Sequence, residues 1–310
     1  MRVAFLGTPE FAVPVLRMLV ERGCETAVFT QPDRPKGRGY GLSEPPVKTM
    51  ALEYGLDVYQ FGRIGSGDGA QALRAYAPDL MVTAAFGQIL SSDNLSVPKH
   101  GCINVHASLL PKLRGAAPIQ WAIINGEEET GVTTMLTDIG VDTGDIILQR
   151  KTRIGADETA GELYDRLSEL GAATLAQTLD LLESGRMPRY PQDHKSATKC
   201  GMLKRDTGKI DFSKPAKQIH DLVRGLNPNP GAYAFFGGER VKIWRTRITD
   251  TVIERNAAAG ECIQASPKTG LLVITGGGII EILELQFPGG KRMSAAACLN
   301  SRKLFGGSFQ

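Results

Sequence analysis

Short apolar runs alternate with stretches of helical spacing through the first two-thirds of this 310-residue chain, and no other feature restricts the fold as much. Residues 3–6 (VAFL) form an apolar run of strand type. In residues 10–21, Phe11, Val15, Leu16 and Leu19 recur at helical intervals; Glu10 opens the segment and Gly23 lies just past its end. Residues 26–29 are the next apolar run. A helical stretch over 70–76 precedes a third run at 80–85, and 102–105 is a fourth. Residues 132–136 and 146–149 read as strands flanking the turn Asp138-Ile139-Gly140-Val141-Asp142-Thr143-Gly144. Over 160–183, Leu163, Leu167, Leu170, Leu175, Leu179 and Leu182 line one helical stripe, which is expected to face the core. Strands and helices alternating in this way build a mostly parallel sheet with helices on both faces.

The pattern breaks at Gly185-Arg186-Met187-Pro188-Arg189-Tyr190-Pro191-Gln192, and polar, basic sequence continues to Lys204. A helix is predicted over 216–226, ending at Asn227-Pro228-Asn229-Pro230-Gly231. Five short strand-like runs follow, at 232–236, 241–244, 260–264, 271–274 and 279–285, separated by glycine pairs and triplets. The predicted fold is therefore α/β: a Rossmann-like, mostly parallel sheet with helices on both faces, then a smaller OB-like β-barrel domain. The expected boundaries are 1–187 for the catalytic domain, 188–204 for a linker and 205–310 for the OB-like domain. Charge divides the chain similarly. Residues 1–187 hold 17 basic and 23 acidic side chains, net −6, and residues 188–310 hold 19 and 10, net +9. Charge alone leaves open whether the basic part meets a polyanion or is simply a soluble surface.

Several classes are disfavoured. The first strand-to-helix turn is Gly7-Thr8-Pro9-Glu10-Phe11-Ala12, with only the first glycine of a dinucleotide fingerprint and a carboxylate where a pyrophosphate would sit. There is no Gly-x-x-x-x-Gly-Lys-Ser/Thr. Cys24, Cys102, Cys200, Cys262 and Cys298 are far apart and never in a CxxC pair, so neither a disulfide framework nor a metal site is expected. No apolar run approaches the roughly 20 residues of a membrane helix. The apolar start is too short for a signal peptide, so a cytoplasmic location is expected. Nothing in the sequence demands a partner chain, and a monomer is expected.

Chemistry concentrates in residues 101–120, GCINVHASLLPKLRGAAPIQ. Asn104 and His106 lie two apart at the end of a predicted strand, so both project from one face. Strand ends are where open parallel sheets build their sites. Asp142 and Asp145 lie in a glycine-rich turn after a later strand. An amide can donate to a developing oxyanion. An imidazole exchanges protons near neutrality, and a carboxylate can orient it. No serine or cysteine stands out as a nucleophile. From the residues alone, acyl-type transfer stands beside a purely structural role for Asn104 and His106.

Asn104-Val105-His106, Ser108 through Gly115 (SLLPKLRG) and Asp142-Thr143-Gly144-Asp145 together resemble the folate-dependent formyltransferases. The resemblance implies a catalytic trio of Asn104, His106 and Asp142, and a folate-contacting loop of Ser108, Leu109, Leu110 and Pro111. Phe86-Gly87-Gln88-Ile89-Leu90 resembles the wall of the family's pterin pocket, contributed by Phe86, Gly87, Ile89 and Leu90. The co-substrate implied is 10-formyltetrahydrofolate, with no metal. Within the family, the loop from Gln31 to Gly39 is similar to one that contacts a tRNA acceptor end, which points to Arg34, Lys36 and Arg38. The extra basic domain, with Arg224 through Ala232 (RGLNPNPGA) and Asn300-Ser301-Arg302, looks like that of members acting on initiator methionyl-tRNA. Asn229 departs from the aromatic residue often found there. The implied reaction is direct attack of the methionine α-amine on the formyl carbon through a tetrahedral intermediate. Lys204, Lys209, Arg240, Lys242, Arg245, Arg247, Lys291 and Arg292 are candidates for a tRNA-facing patch. The alternatives are a formyltransferase for an amino sugar nucleotide, one for glycinamide ribonucleotide, or a non-catalytic RNA-binding module.

Overall fold

The first strand, β1 (Arg2–Gly7), is buried at every residue after Arg2. In the computed structural model, which describes residues 1–35, 42–251 and 257–310, it is an interior strand of a seven-stranded sheet. The other members are β2 (Glu25–Thr30), β3 (Val58–Gln60), β4 (Leu80–Ala84), β5 (Cys102–His106), β6 (Glu129–Leu136) and β7 (Ile146–Arg153). Strands covered on both faces need apolar side chains at successive positions, which is why β1, β2 and β4 are continuous apolar runs. The outer strand β7 alternates partly buried with exposed residues along most of its length.

The sheet order is β7-β6-β5-β4-β1-β2-β3. Strands β3, β2, β1, β4 and β5 are parallel neighbours, and β6 runs antiparallel to β5. The order reverses between β1 and β4, the switch point at whose carboxyl side such sheets bind ligands. Helices α1 (Val13–Glu21), α2 (Pro46–Glu53), α3 (Gly67–Tyr76) and α4 (Ala160–Glu183) accompany the strands. Leu163, Leu167, Leu175 and Leu179 of the predicted stripe on α4 are fully buried, whereas Leu170 and Leu182 are partly buried. Two other α4 side chains fix the turn after β1: Tyr164 accepts from the Phe11 N–H at 2.7 Å, and Ser168 donates to the Phe11 carbonyl at 3.1 Å.

The chain groups into two compact units. One comprises residues 1–118, 130–152 and 164–200; the other comprises 119–129, 153–163 and 201–310. Residues 188–200, read from the sequence as the start of a linker, therefore group with the first unit. Tyr190 bridges Ile146, and Lys199–Cys200 pairs in parallel with Arg114–Gly115. At Gly115 an added Cβ would lie 2.1 Å from the Cys200 carbonyl oxygen, and φ is +120°, so only glycine fits.

The second unit holds α5 (Ala216–Gly225), α6 (Ala295–Leu299) and strands β8 (Ala232–Phe236), β9 (Glu239–Thr249), β10 (Cys262–Ser266), β11 (Gly270–Ile274), β12 (Ile279–Gln286) and β13 (Met293–Ser294). They form an antiparallel sheet in the order β8-β9-β12-β11-β10, with β13 against β12. Ile219, Val223, Val241, Ile243, Val273 and Ile282 are among its core residues. The ladder is open, but the last residues of the chain reach both of its edges. Phe235 and Gln310 exchange backbone bonds of 2.7 and 2.8 Å beside β8, and the Phe309 N–H donates to Gly260 at 2.9 Å ahead of β10. This coiling is consistent with the OB-like domain predicted. Among the described residues, no helix is long and apolar enough to cross a membrane.

Candidate active site

Parallel pairing of β4 and β5 sets Thr83 opposite Asn104, and antiparallel pairing of β5 and β6 sets His106 opposite Thr133. After β6 the chain turns back, bringing Asp142 to the end of β5. Asp142 Oδ1 accepts from Asn104 Nδ2 at 3.3 Å. Its Oδ2 lies 3.6 Å from His106 Nδ1 and accepts from the Gly115 N–H at 2.8 Å. Asn104, His106 and Asp142 thus meet at one rim of the sheet.

The hydrogen bonds settle how these groups face. The Thr83 hydroxyl donates to Asn104 Oδ1 at 2.9 Å, so the amide turns its NH₂ toward Asp142. One amide hydrogen is used there, and the second is left to donate to another oxygen. His106 Nε2 lies 3.0 Å from the Leu113 carbonyl, which can only accept, so Nε2 carries a proton. Nδ1 then faces the Asp142 carboxylate at 3.6 Å.

Much of the support is invisible in the sequence. Asp142 has φ +53°, the left-handed region. Its turn is shaped by Asp138, whose carboxylate accepts from the Gly140 N–H at 3.0 Å and the Thr143 hydroxyl at 2.6 Å. At Gly144 an added Cβ would sit 1.8 Å from the Leu136 carbonyl oxygen. Gln192 Nε2 donates to the carbonyls of Asp142 and Gly144, and its Oε1 accepts from Arg114. Thr198 accepts the Leu113 N–H on its hydroxyl at 2.9 Å and the Arg114 N–H on its carbonyl at 2.9 Å. Arg114 is buried. Sequence reasoning missed Thr83, Gln192 and Thr198. Only strand register and the return of residues 190–200 reveal them.

The other expected site residues are distributed as follows. Phe86 and Leu90 are buried on the loop after β4, whereas Ile89 is 80% exposed. The Phe86 carbonyl accepts from the Thr8 hydroxyl and from Gln31 Nε2, and Gly87 fits against Gln31. Gln88 braces the loop through Ile64 and Phe61. Ser108 and Leu110 are buried, and the Ser108 hydroxyl closes a turn onto the Lys112 carbonyl at 2.7 Å. Leu109 and Pro111 are partly buried. Arg34 is exposed and bonds the Gln31 side-chain oxygen; Lys36 and Arg38 lie outside the described residues.

In the second unit, basic side chains interleave with aromatic rings. Arg240 lies 3.7 Å over Tyr233, Lys209 5.8 Å over Phe235, and Lys242 4.8 Å over Trp244. Arg247 is paired with Glu281, and Arg292 is paired with Glu284 while also lying 5.2 Å over Trp244. Thiol chemistry is unfavourable near the rim. Burial pushes the Cys102 thiol up to about 11 and raises that of Cys200, so neither is a thiolate near neutrality. Among the described residues no acidic, histidine or cysteine cluster is arranged to hold a metal.

Asn104, His106 and Asp142 thus bring an amide donor, an imidazole and a carboxylate together at the carboxyl edge of the parallel strands, beside the chain-order switch. Residues 1–179 match the formyl transferase family, and residues 202–303 match the formyl transferase C-terminal domain. The chain belongs to the formyl transferase family. It is 47% identical over 305 residues to the methionyl-tRNA formyltransferase of Ruminiclostridium cellulolyticum, covering 98% of this chain and 97% of that protein. It is 48% identical to the methionyl-tRNA formyltransferase of Geobacter sulfurreducens, covering 98% and 95%. Among solved structures, the sugar 3N-formyl transferase WlaRD superposes with a TM-score of 0.68 at 20% identity, over 94% of this chain and 99% of WlaRD. HypX from Aquifex aeolicus in complex with tetrahydrofolic acid superposes with a TM-score of 0.64 at 18% identity, over 96% of this chain and 47% of HypX. Those two likenesses concern the fold.

Proposed function

We propose that the chain acts as a methionyl-tRNA formyltransferase, moving the formyl group of 10-formyltetrahydrofolate onto the α-amine of methionine carried by initiator tRNA. The observation that carries this acceptor is 47% identity across 98% of the chain, the basic C-terminal part included, with a relative of that name. In the reaction the free amine attacks the formyl carbon. Asn104 donates its second amide hydrogen to the developing oxyanion, and His106 offers its Nδ1 edge. Asp142 orients the imidazole and accepts the amine proton through a water; the proton ends on N10 of the departing folate. Phe86, Gly87, Ile89 and Leu90 with Ser108, Leu109, Leu110 and Pro111 would line the folate site. Arg34, Lys36 and Arg38 would contact acceptor-end phosphates, while residues 205–310 would hold the acceptor arm through backbone charge and shape. A cytoplasmic monomer fits this role. Labelled formyl-folate supplied with methionyl-tRNA or with an amino sugar nucleotide tests the reading. Label in the tRNA is expected, and label only in the sugar nucleotide refutes it.

A further inference from the structure

The structure assigns to Gln192 the positioning of Asp142. Gln192 lies between the two matched family segments, which end at residue 179 and resume at 202. It is 6% exposed, and its amide is saturated. Nε2 donates to the carbonyls of Asp142 at 3.0 Å and Gly144 at 2.7 Å. Oε1 accepts from Arg114 Nε at 3.0 Å and Nη2 at 2.6 Å. Asp142 sits at φ +53°, so its peptide orientation depends on what holds the flanking carbonyls. Arg114, the other partner, lies between Leu113, whose carbonyl accepts from His106 Nε2, and Gly115, whose N–H donates to Asp142 Oδ2. One buried amide therefore ties together both loops that meet at the carboxylate. A generic buried glutamine would need partners; this one grips the carbonyls on either side of Thr143 and the arginine behind the opposing loop.

The inference rests on the proposed role of Asp142. Gln192→Glu keeps the acceptor facing Arg114 but sets an oxygen against two carbonyl oxygens. Gln192→Met removes the polar atoms at similar volume. Both variants are measured in the full chain for kcat, for KM toward formyl-folate and methionyl-tRNA, and for thermal midpoint, alone and combined with Asp142→Ala. A loss of about 10²-fold in kcat is expected, as for a displacement near 1 Å at a reacting group, with both KM values within about twofold and a cooperative folding transition retained. In the Asp142→Ala background the same substitutions are expected to change kcat by less than about twofold, because residues acting through one another are not additive. Unchanged turnover in both single variants overturns the inference. So does an equal loss in both backgrounds, or loss of folding in both variants, since either marks a general structural role. Wild-type turnover in Asp142→Ala alone refutes the underlying site assignment instead.

Discussion

Thr83 and Asn104 stand opposite each other on adjacent parallel strands, with the Thr83 hydroxyl donating to Asn104 Oδ1 at 2.9 Å. The bond selects which end of the amide faces Asp142. Thr83→Val removes the donor at nearly the same volume, allowing the amide to turn over. A fall of about tenfold in kcat is expected, while Thr83→Ser keeps the donor and stays near wild type. Steady-state kinetics of the pair decide it; equal activity would leave Asp142 as the sole orienting group.

Asn104→Ala removes the amide donor, and Asp142→Ala removes the group facing both Asn104 and His106. Each is expected to cost about 3 kcal/mol of transition-state stabilisation, or 10²–10³ in kcat, without preventing folding. Single-turnover formylation alongside a thermal melt separates chemistry from stability. Turnover near wild type in either variant would refute its role.

Phe309, 2% exposed, packs against Phe212 and Phe236, and its neighbours bond both edges of the open β8–β10 ladder. Phe309→Ala is expected to destabilise the second unit by about 3–5 kcal/mol, the usual cost of deleting a buried aromatic ring. Urea unfolding reports it, and a shift under about 1 kcal/mol would show that the sheet core is indifferent to the tail.

Cys102 gives a pH dependence of definite sign. Burial raises its thiol from 9.0 to about 11, so between those values the unfolded chain has released a proton that the folded chain keeps. The stabilisation is fully present below pH 9 and is lost as pH rises toward 11, amounting to about 3 kcal/mol at most. Urea midpoints at several alkaline pH values are expected to fall more steeply for wild type than for Cys102→Ala; parallel slopes would contradict this.

The Arg240 and Lys242 cations rest on the buried rings of Tyr233 and Trp244, an arrangement that fixes positive charge where a sugar-phosphate backbone can meet it. Replacing both by alanine is expected to weaken tRNA binding and lower its log-log salt slope by about 0.7–0.9 for each phosphate that is no longer neutralised. Filter binding across a salt series measures this. Unchanged affinity and slope would place the RNA on another face.

Local pattern makes most of the fold legible. Alternating apolar runs and helical stripes arise within single segments, so the strands at 3–6, 26–29 and 102–105 and the long helix to Glu183 can be read directly. Helix α2 and strand β3 carry no such signal. The helix opens on Pro45-Pro46 with weak periodicity, and the strand has only three partly buried residues. Similarly, Pro188, Pro191 and the surrounding polar residues suggest a linker, because the pairings that bind 188–200 to the first unit are with partners far away in sequence.

What the sequence determined by itself was the class of sheet and the placing of Asn104 and His106 on one face, since a strand repeats every two residues and needs no partner to do so. Family resemblance chose Asp142 over Asp145 as the carboxylate. Tertiary structure alone decided that Thr83 turns the Asn104 amide, that Leu113 takes one nitrogen of His106, and that Gln192 grips the turn of Asp142 from 50 residues away. Hydrogen bonds depend on separations of about 3 Å, and sequence spacing carries no such information once the chain has folded back on itself.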